Sequence, residues 1–133
     1  MAGKVVVSTL NNDTGVLATQ NGMTGIPKAW CQFSMSGTTI TINGSFNVSS
    51  ITYNASGYYT ANLTTAMPNI NYSVVGSGCV NQSASNFTFF VSFAQSGSPF
   101  FIAPTTTSFG FGYIQPGTGG VNPVYGNFAV FSS

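Results

Sequence analysis

The chain has no Glu, no Arg and no His, and its whole set of acidic and basic side chains is Lys4, Lys28 and Asp13. Soluble domains ordinarily carry about 25% charged residues. Here 2% are charged, so several classes of mechanism lack their reagents. Nucleic-acid binding draws on basic side chains that displace counterions from phosphates, and two lysines do not make a basic patch. Without imidazole there is no switch that titrates near neutral pH. Glycoside hydrolysis by the usual route needs two carboxylates across the scissile bond, and one is present. A serine or cysteine nucleophile needs a base; only Lys4 and Lys28, both near the N-terminus, are on offer. Two cysteines with no histidine fall short of a zinc site. The expectation is a protein without catalysis, metal or other cofactor.

Long apolar runs are missing too. The first residues, MAGKVVVSTLNN, hold one lysine and three valines before Ser8 and Thr9, short of the roughly 7 to 15 apolar residues of a secretory signal. Nothing approaches the ~20 apolar residues of a membrane helix, and a chain this short is a poor outer-membrane barrel. The expectation is synthesis in a cytoplasm without membrane insertion. Cys31 and Cys79 can be bridged, closing a loop of about 49 residues for roughly 4 kcal/mol of chain entropy. The preferred alternative leaves Cys31 as a small hydrophobe beside Phe33 and Met35.

What the sequence does have is Gly, Ser, Thr, Asn and aromatics. At 133 residues it is one domain by size and buries roughly two-thirds of its unfolded surface on folding. Turn formers recur every few residues and the apolar spacing is two, not 3.6, which excludes helices and predicts an all-β fold. Residues 1–28 are poor in core formers and read as an extended N-terminal attachment arm, with Val5, Val6, Val7, Leu10 and Leu17 as its apolar contacts. Residues 29–133 read as a single antiparallel β-sandwich, jelly-roll-like, with short strands at the usual spacing. Cys31, Phe33 and Met35 alternate with Trp30, Gln32 and Ser34; Ile40 and Ile42 follow, then Phe46, Val48, Ile51 and Tyr53. After a turn ending at Gly57, Tyr59, Ala61 and Leu63 point inward and Tyr58, Thr60 and Asn62 outward. Gly76 and Gly78 interrupt the next strand and predict a bulge or a close backbone approach.

The segment NFTFFVSFA, residues 86–94, is the most apolar in the chain: Phe87, Phe89, Val91 and Phe93 share one face and Phe90 lies on the other. A strand apolar on both sides is covered on both sides, as a central strand of the sandwich or against a symmetry mate; left exposed it is an aggregation hazard. Phe109, Phe111 and Tyr113 alternate with Gly110 and Gly112, and the last strand runs from Tyr125 to Phe131. Trp30, Phe33, Phe87, Phe89, Phe90, Phe93, Phe109 and Phe111 are the candidates for core or oligomer packing. A nearly neutral surface offers little repulsion between copies, which suits a homo-oligomer.

Eight Asn-X-Ser/Thr triplets begin at Asn12, Asn43, Asn47, Asn54, Asn62, Asn71, Asn81 and Asn86. In so Asn-, Ser- and Thr-rich a chain they read as polar strand and turn residues rather than glycosylation sites. Aromatic faces with neutral donors can instead bind sugar, and Tyr53, Asn54, Tyr58, Gln115 and Asn122, in or beside expected loops, are candidate glycan contacts. The plainer reading makes them ordinary turn residues.

Residues 28–78 carry Ala29-Trp30, SFNVSSIT at 45–52, the Gly57-Tyr58-Tyr59-Thr60 turn and strand, and LTTAMPNINYSVVGS at 63–77. This text resembles a domain recurrent near the C-termini of tailed-bacteriophage fibre proteins. The Gly-rich turn and Tyr125 before FAVF at 128–131 resemble the close of that domain, so that about half of the chain is covered. The resemblance implies a virion surface protein, often trimeric, whose partners are copies of itself, phage capsid or tail proteins and, at a fibre tip, host surface glycans. The small size and short arm lead to the expectation of a capsid decoration, cement or head-fibre protein, or a short tail subunit. A receptor-binding fibre tip is the alternative.

Overall fold

The structure is a computed structural model and describes residues 26–79, 88–92 and 102–132. The expected arm residues Val5, Val6, Val7, Leu10 and Leu17, with Phe87 and Phe93, lie outside the described residues. Among those described there is no helix, and the chain forms two antiparallel sheets.

The first strand, β1 (Ala29–Ser36), follows the alternation of its sequence, burying Ala29, Cys31, Phe33 and Met35. It turns at Gly37, whose φ of 63° a side chain would resist, into β2 (Thr39–Phe46). After β3 (Val48–Ala55), β4 (Tyr58–Leu63), β5 (Ser73–Cys79), β6 (Thr88–Ser92), β7 (Ser108–Gln115) and the two-residue β8 (Gly119–Gly120), the chain returns as β9 (Tyr125–Phe131). Sheet A has the order β2-β1-β9-β5, so the first strand pairs with the last. Sheet B has the order β3-β4-β7-β6, with β8 paired to β7.

The sheets pack in a sandwich-like way around one core. Sheet A supplies Cys31, Phe33, Met35, Phe128 and Val130; sheet B supplies Tyr59, Ala61, Leu63, Phe109, Phe111 and Tyr113. Rings meet across the core, Phe111 with Phe128 at 5.1 Å, Phe109 with Phe128 at 5.3 Å and Phe33 with Phe111 at 6.0 Å between centroids. Such pairs each add about 0.5–1.5 kcal/mol beyond their burial, giving a chain with three charged side chains directional contacts that ion pairs supply elsewhere.

Space for these rings comes from glycines on the inner side of sheet A. Gly78 of β5 pairs with Gly126 of β9, and a methyl at Gly78 would sit 2.5 Å from Tyr113 Cε1. One at Gly76 would sit 2.6 Å from the Phe89 ring. Gly76 and Gly78 therefore mark a close approach, not a bulge, and β5 runs unbroken through both.

Two expectations change. Phe46 does not join Val48 on the core side, because a bulge opposite Gln32 and Phe33 shifts the phase of β2. Ile40 and Ile42 pair with Met35 and Phe33 on the inner side, whereas Gly44 and Phe46 pair with Gln32 and Trp30 on the outer side. Nor is β6 a central strand; it ends sheet B among the described residues, and its neighbour beyond is β5 of the other sheet. Its two apolar sides are nonetheless both used. Phe89 and Val91 pack on the core, and Phe90 lies on the outer side against Tyr58.

Asn47 makes the corner between sheets. Its φ of 56° is left-handed, a region asparagine tolerates better than most residues. Its Oδ1 accepts from Thr65 N at 2.7 Å, and its Nδ2 donates to Lys28 O at 3.1 Å and Thr65 O at 3.2 Å. One side chain thus ties the entry to β1, the β2–β3 corner and the segment after β4. Cys31 faces the core while Cys79 is on the outer side, and the two are not disulfide-bonded.

Candidate functional site

Lys28 is the only Lys, Arg, His, Asp or Glu among the described residues, and it is buried. The surface therefore works with shape, hydroxyls, amides and apolar groups. Burial pushes the Cys31 thiol up to about 11 and the Tyr72 hydroxyl up to about 12, and it raises Tyr59 and Tyr113 further. These groups are held neutral, the opposite of what activates a nucleophile.

Two outer faces concentrate the chemistry that is left. On sheet A, Phe46, Trp30, Ala129 and Val75 are register partners in turn across β2, β1, β9 and β5. Phe46 and Trp30 are each 42% exposed and Val75 56%, so an apolar row crosses the full width of the sheet on its solvent side. A methyl at Gly44 would lie 3.4 Å from Trp30 Cζ3, so the indole rests over Gly44, along the sheet. The next row holds Gln32, Asn127 and Ser77, with Asn127 Nδ2 donating to Ser77 Oγ at 3.0 Å. Beyond it Tyr125, 57% exposed, pairs with Ser34 and Cys79.

On sheet B the outer face carries an aromatic pair. Phe90 lies over Gly112, where a methyl would meet its ring at 2.5 Å, and stands edge-on to Tyr58 at 5.8 Å. Beside them Asn54 Nδ2 donates to Thr60 Oγ1 at 2.9 Å, and Asn62 Nδ2 to Ser50 Oγ and Thr52 Oγ1 at 3.0 and 3.1 Å.

Of the five candidate sugar contacts, Tyr58 forms this pair with Phe90 and Asn54 lies beside it. Tyr53 turns toward the core and meets Tyr59 edge-on at 5.9 Å. Asn122 has both ends of its amide engaged: Oδ1 accepts from Gly57 N at 3.0 Å and Tyr59 Oη at 2.8 Å, and Nδ2 donates to Gly37 O at 3.1 Å. It is a clamp for three turns rather than a ligand contact. Gln115 sits in the β7–β8 hairpin, its carbonyl accepting from Thr118 N. Among the packing candidates, Phe33, Phe109 and Phe111 are core, Phe89 is half-buried against it, Phe90 is on the outer side of sheet B, and Trp30 is on the outer side of sheet A. The triplet asparagines Asn47, Asn54 and Asn62 spend their amides on internal hydrogen bonds.

Phe46, Val75 and Tyr125 were not candidates from sequence. For Val75 a signal existed, since of the adjacent Val74 and Val75 in a strand one must face outward. For Phe46 none did, because a bulge sets its side. Comparison of the chain with protein-family models, with curated proteins and with solved structures finds no match.

Proposed function

We propose that this chain is a structural protein of a tailed-bacteriophage particle, displayed on the virion surface as a capsid decoration, cement or head-fibre protein or a short tail subunit. In this reading it works as a homo-oligomer, a trimer, of jelly-roll-like domains, with residues 1–28 as the attachment arm, and it carries no catalytic centre. The phage assignment rests on the resemblance of residues 28–78 to the fibre-protein domain. The observation that carries the assembly role is the uncharged Phe46–Trp30–Ala129–Val75 row on the exposed side of sheet A. Contiguous exposed apolar surface marks an interaction site, and here no charged side chain of the described residues can contribute to the contact.

Association of this kind proceeds by apolar burial and hydrogen bonding, so it is not screened by salt. Light scattering of the purified protein is expected to give a mass three times 13.8 kDa that persists at about 1 M salt, where the screening length is near 3 Å. Its presence in purified virions, read by mass spectrometry and by particle maps with and without it, tests the location. Absence from the particle, or dissociation by moderate salt, refutes the reading.

A second reading, a fibre tip that recognises host glycans, is favoured by one observation: Tyr58 and Phe90 form an aromatic pair on sheet B with amides and hydroxyls beside it. Selective signals on a glycan array that vanish in Tyr58→Ala would support it.

A further inference from the structure

We infer that the outer face of sheet A is where a second copy of this chain docks, with the Phe46–Trp30–Ala129–Val75 row at the centre of the contact; this rests on the homo-oligomer reading and names its surface. The row is continuous because its members are register partners on four neighbouring strands. It is low in relief because the Trp30 indole rests over Gly44 and Ala129 fills the middle. Packed sheets meet about 10 Å apart with interleaved side chains, and a low face accepts another at that spacing.

Charge selects the occupant. When copies meet through the same face, charge of one sign meets charge of the same sign, and this is what ordinarily opposes self-docking. Sheet A presents no charged side chain on this side, since the only charged residue described, Lys28, is buried. A second copy therefore docks without repulsion, while a charged partner finds no complement. The polar row beside the apolar one is also prepared for burial, because Asn127 and Ser77 already bond to each other and lose less on leaving water.

The size sets the strength of the contact. Four strands at ~4.8 Å and seven or eight residues at ~3.3 Å give a face roughly 19 by 25 Å. Against an equal area of a neighbouring copy it buries about 950 Å², below the ~1,200 Å² at which stable interfaces begin, so this contact is a weak, concentration-dependent one.

Trp30 is the only tryptophan in the chain, so the contact carries its own reporter. The experiment follows tryptophan emission and light-scattering mass together across a wide concentration series of the full-length protein. The expected result is a shift of emission to shorter wavelength that tracks the rise in mass. Val75→Lys, a substitution at an exposed position that leaves the reporter in place, is expected to weaken association at least about tenfold by burying an unpaired ammonium in the contact. Thr118→Lys, in the exposed β7–β8 turn, is the control and is expected to associate as wild type. An oligomer whose Trp30 emission stays that of an exposed indole, and which Val75→Lys does not weaken, overturns this face while leaving homo-oligomer formation standing. A monomer at every concentration overturns the homo-oligomer reading itself.

Discussion

The Tyr59 hydroxyl donates to Asn122 Oδ1 at 2.8 Å, joining the most buried ring of β4 to the loop that precedes the last strand. The same oxygen accepts from Gly57 N, in a turn whose φ of 78° only glycine adopts freely, and the amide nitrogen reaches Gly37 O in the β1–β2 turn. Three turns at one end of the molecule therefore share a single side chain, without any charge.

Asn122→Ala removes all three bonds and leaves the Tyr59 hydroxyl buried without that acceptor. A buried polar group stranded in this way costs about 1–3 kcal/mol, so a loss of about 2–4 kcal/mol is expected in urea unfolding. Tyr59→Phe removes the donor as well as the need for it and should cost less. The double variant should be less destabilised than the sum of the two, the signature of a direct coupling.

The glycine floor of sheet A makes a sharper prediction. Gly78→Ala places a methyl 2.5 Å from Tyr113 Cε1, and Gly126→Ala places one against the Phe33 ring, 2.7 Å from its Cε1, and 2.6 Å from Tyr113 Oη. Neither ring can retreat from a packed core, and overpacking of this kind costs about 1–3 kcal/mol or more. Gly44→Ala adds its methyl at 3.4 Å from the Trp30 ring on the open side and should lie within about 0.5 kcal/mol of wild type. Thermal melts of the three variants give the comparison.

Strand faces were readable in the sequence wherever the period of two ran undisturbed. The inward set Cys31, Phe33 and Met35, the inward set Tyr59, Ala61 and Leu63, and the span of the last strand all agree with the structure. Alternation says which side a residue faces but not which strand lies beside it, so the pairing of β1 with β9 was not readable. A single extra residue reverses the alternation, and the bulge in β2 hid Phe46 from the exposed row in this way. The candidate sugar site fared differently, because composition cannot tell an asparagine that waits for a ligand from one that clamps turns. Asn122 and Asn54 are both occupied within the protein.

Asn47 combines both difficulties and allows them to be separated. Asn47→Ala loses the bonds to Thr65 and Lys28 and places a methyl-bearing residue at φ 56°; the left-handed region costs such a residue roughly 1–2 kcal/mol. Asn47→Gly loses the same bonds without that backbone cost. The alanine variant should therefore be the less stable of the two by about 1 kcal/mol in urea unfolding.

The pH dependence follows from which groups are present. With Lys4, Lys28 and Asp13 the only charged side chains, little titrates between about pH 5 and 8, and stability should be flat there. Above that range the buried acids take over. Cys31 is raised by burial from 9.0 to about 11 and Tyr72 from 10.0 to about 12, and burial raises Tyr59 and Tyr113 beyond them. In each case the folded state holds its proton longer than the unfolded chain does. At high pH the unfolded state therefore binds fewer protons, and stability falls as pH rises. The contribution is whole below the ordinary values, 9.0 for the thiol and 10.0 for the phenols, and is lost through the folded ones. Each group in its window adds a slope of about 1.4 kcal/mol per pH unit, so the decline begins near pH 9 with Cys31 and steepens above pH 10 as the three tyrosines join. Urea unfolding at a series of pH values checks this. Tyr72→Phe, which removes one of the three, should flatten the steep limb by about one such increment, and an unchanged slope would show that Tyr72 ionises as readily in the fold as out of it.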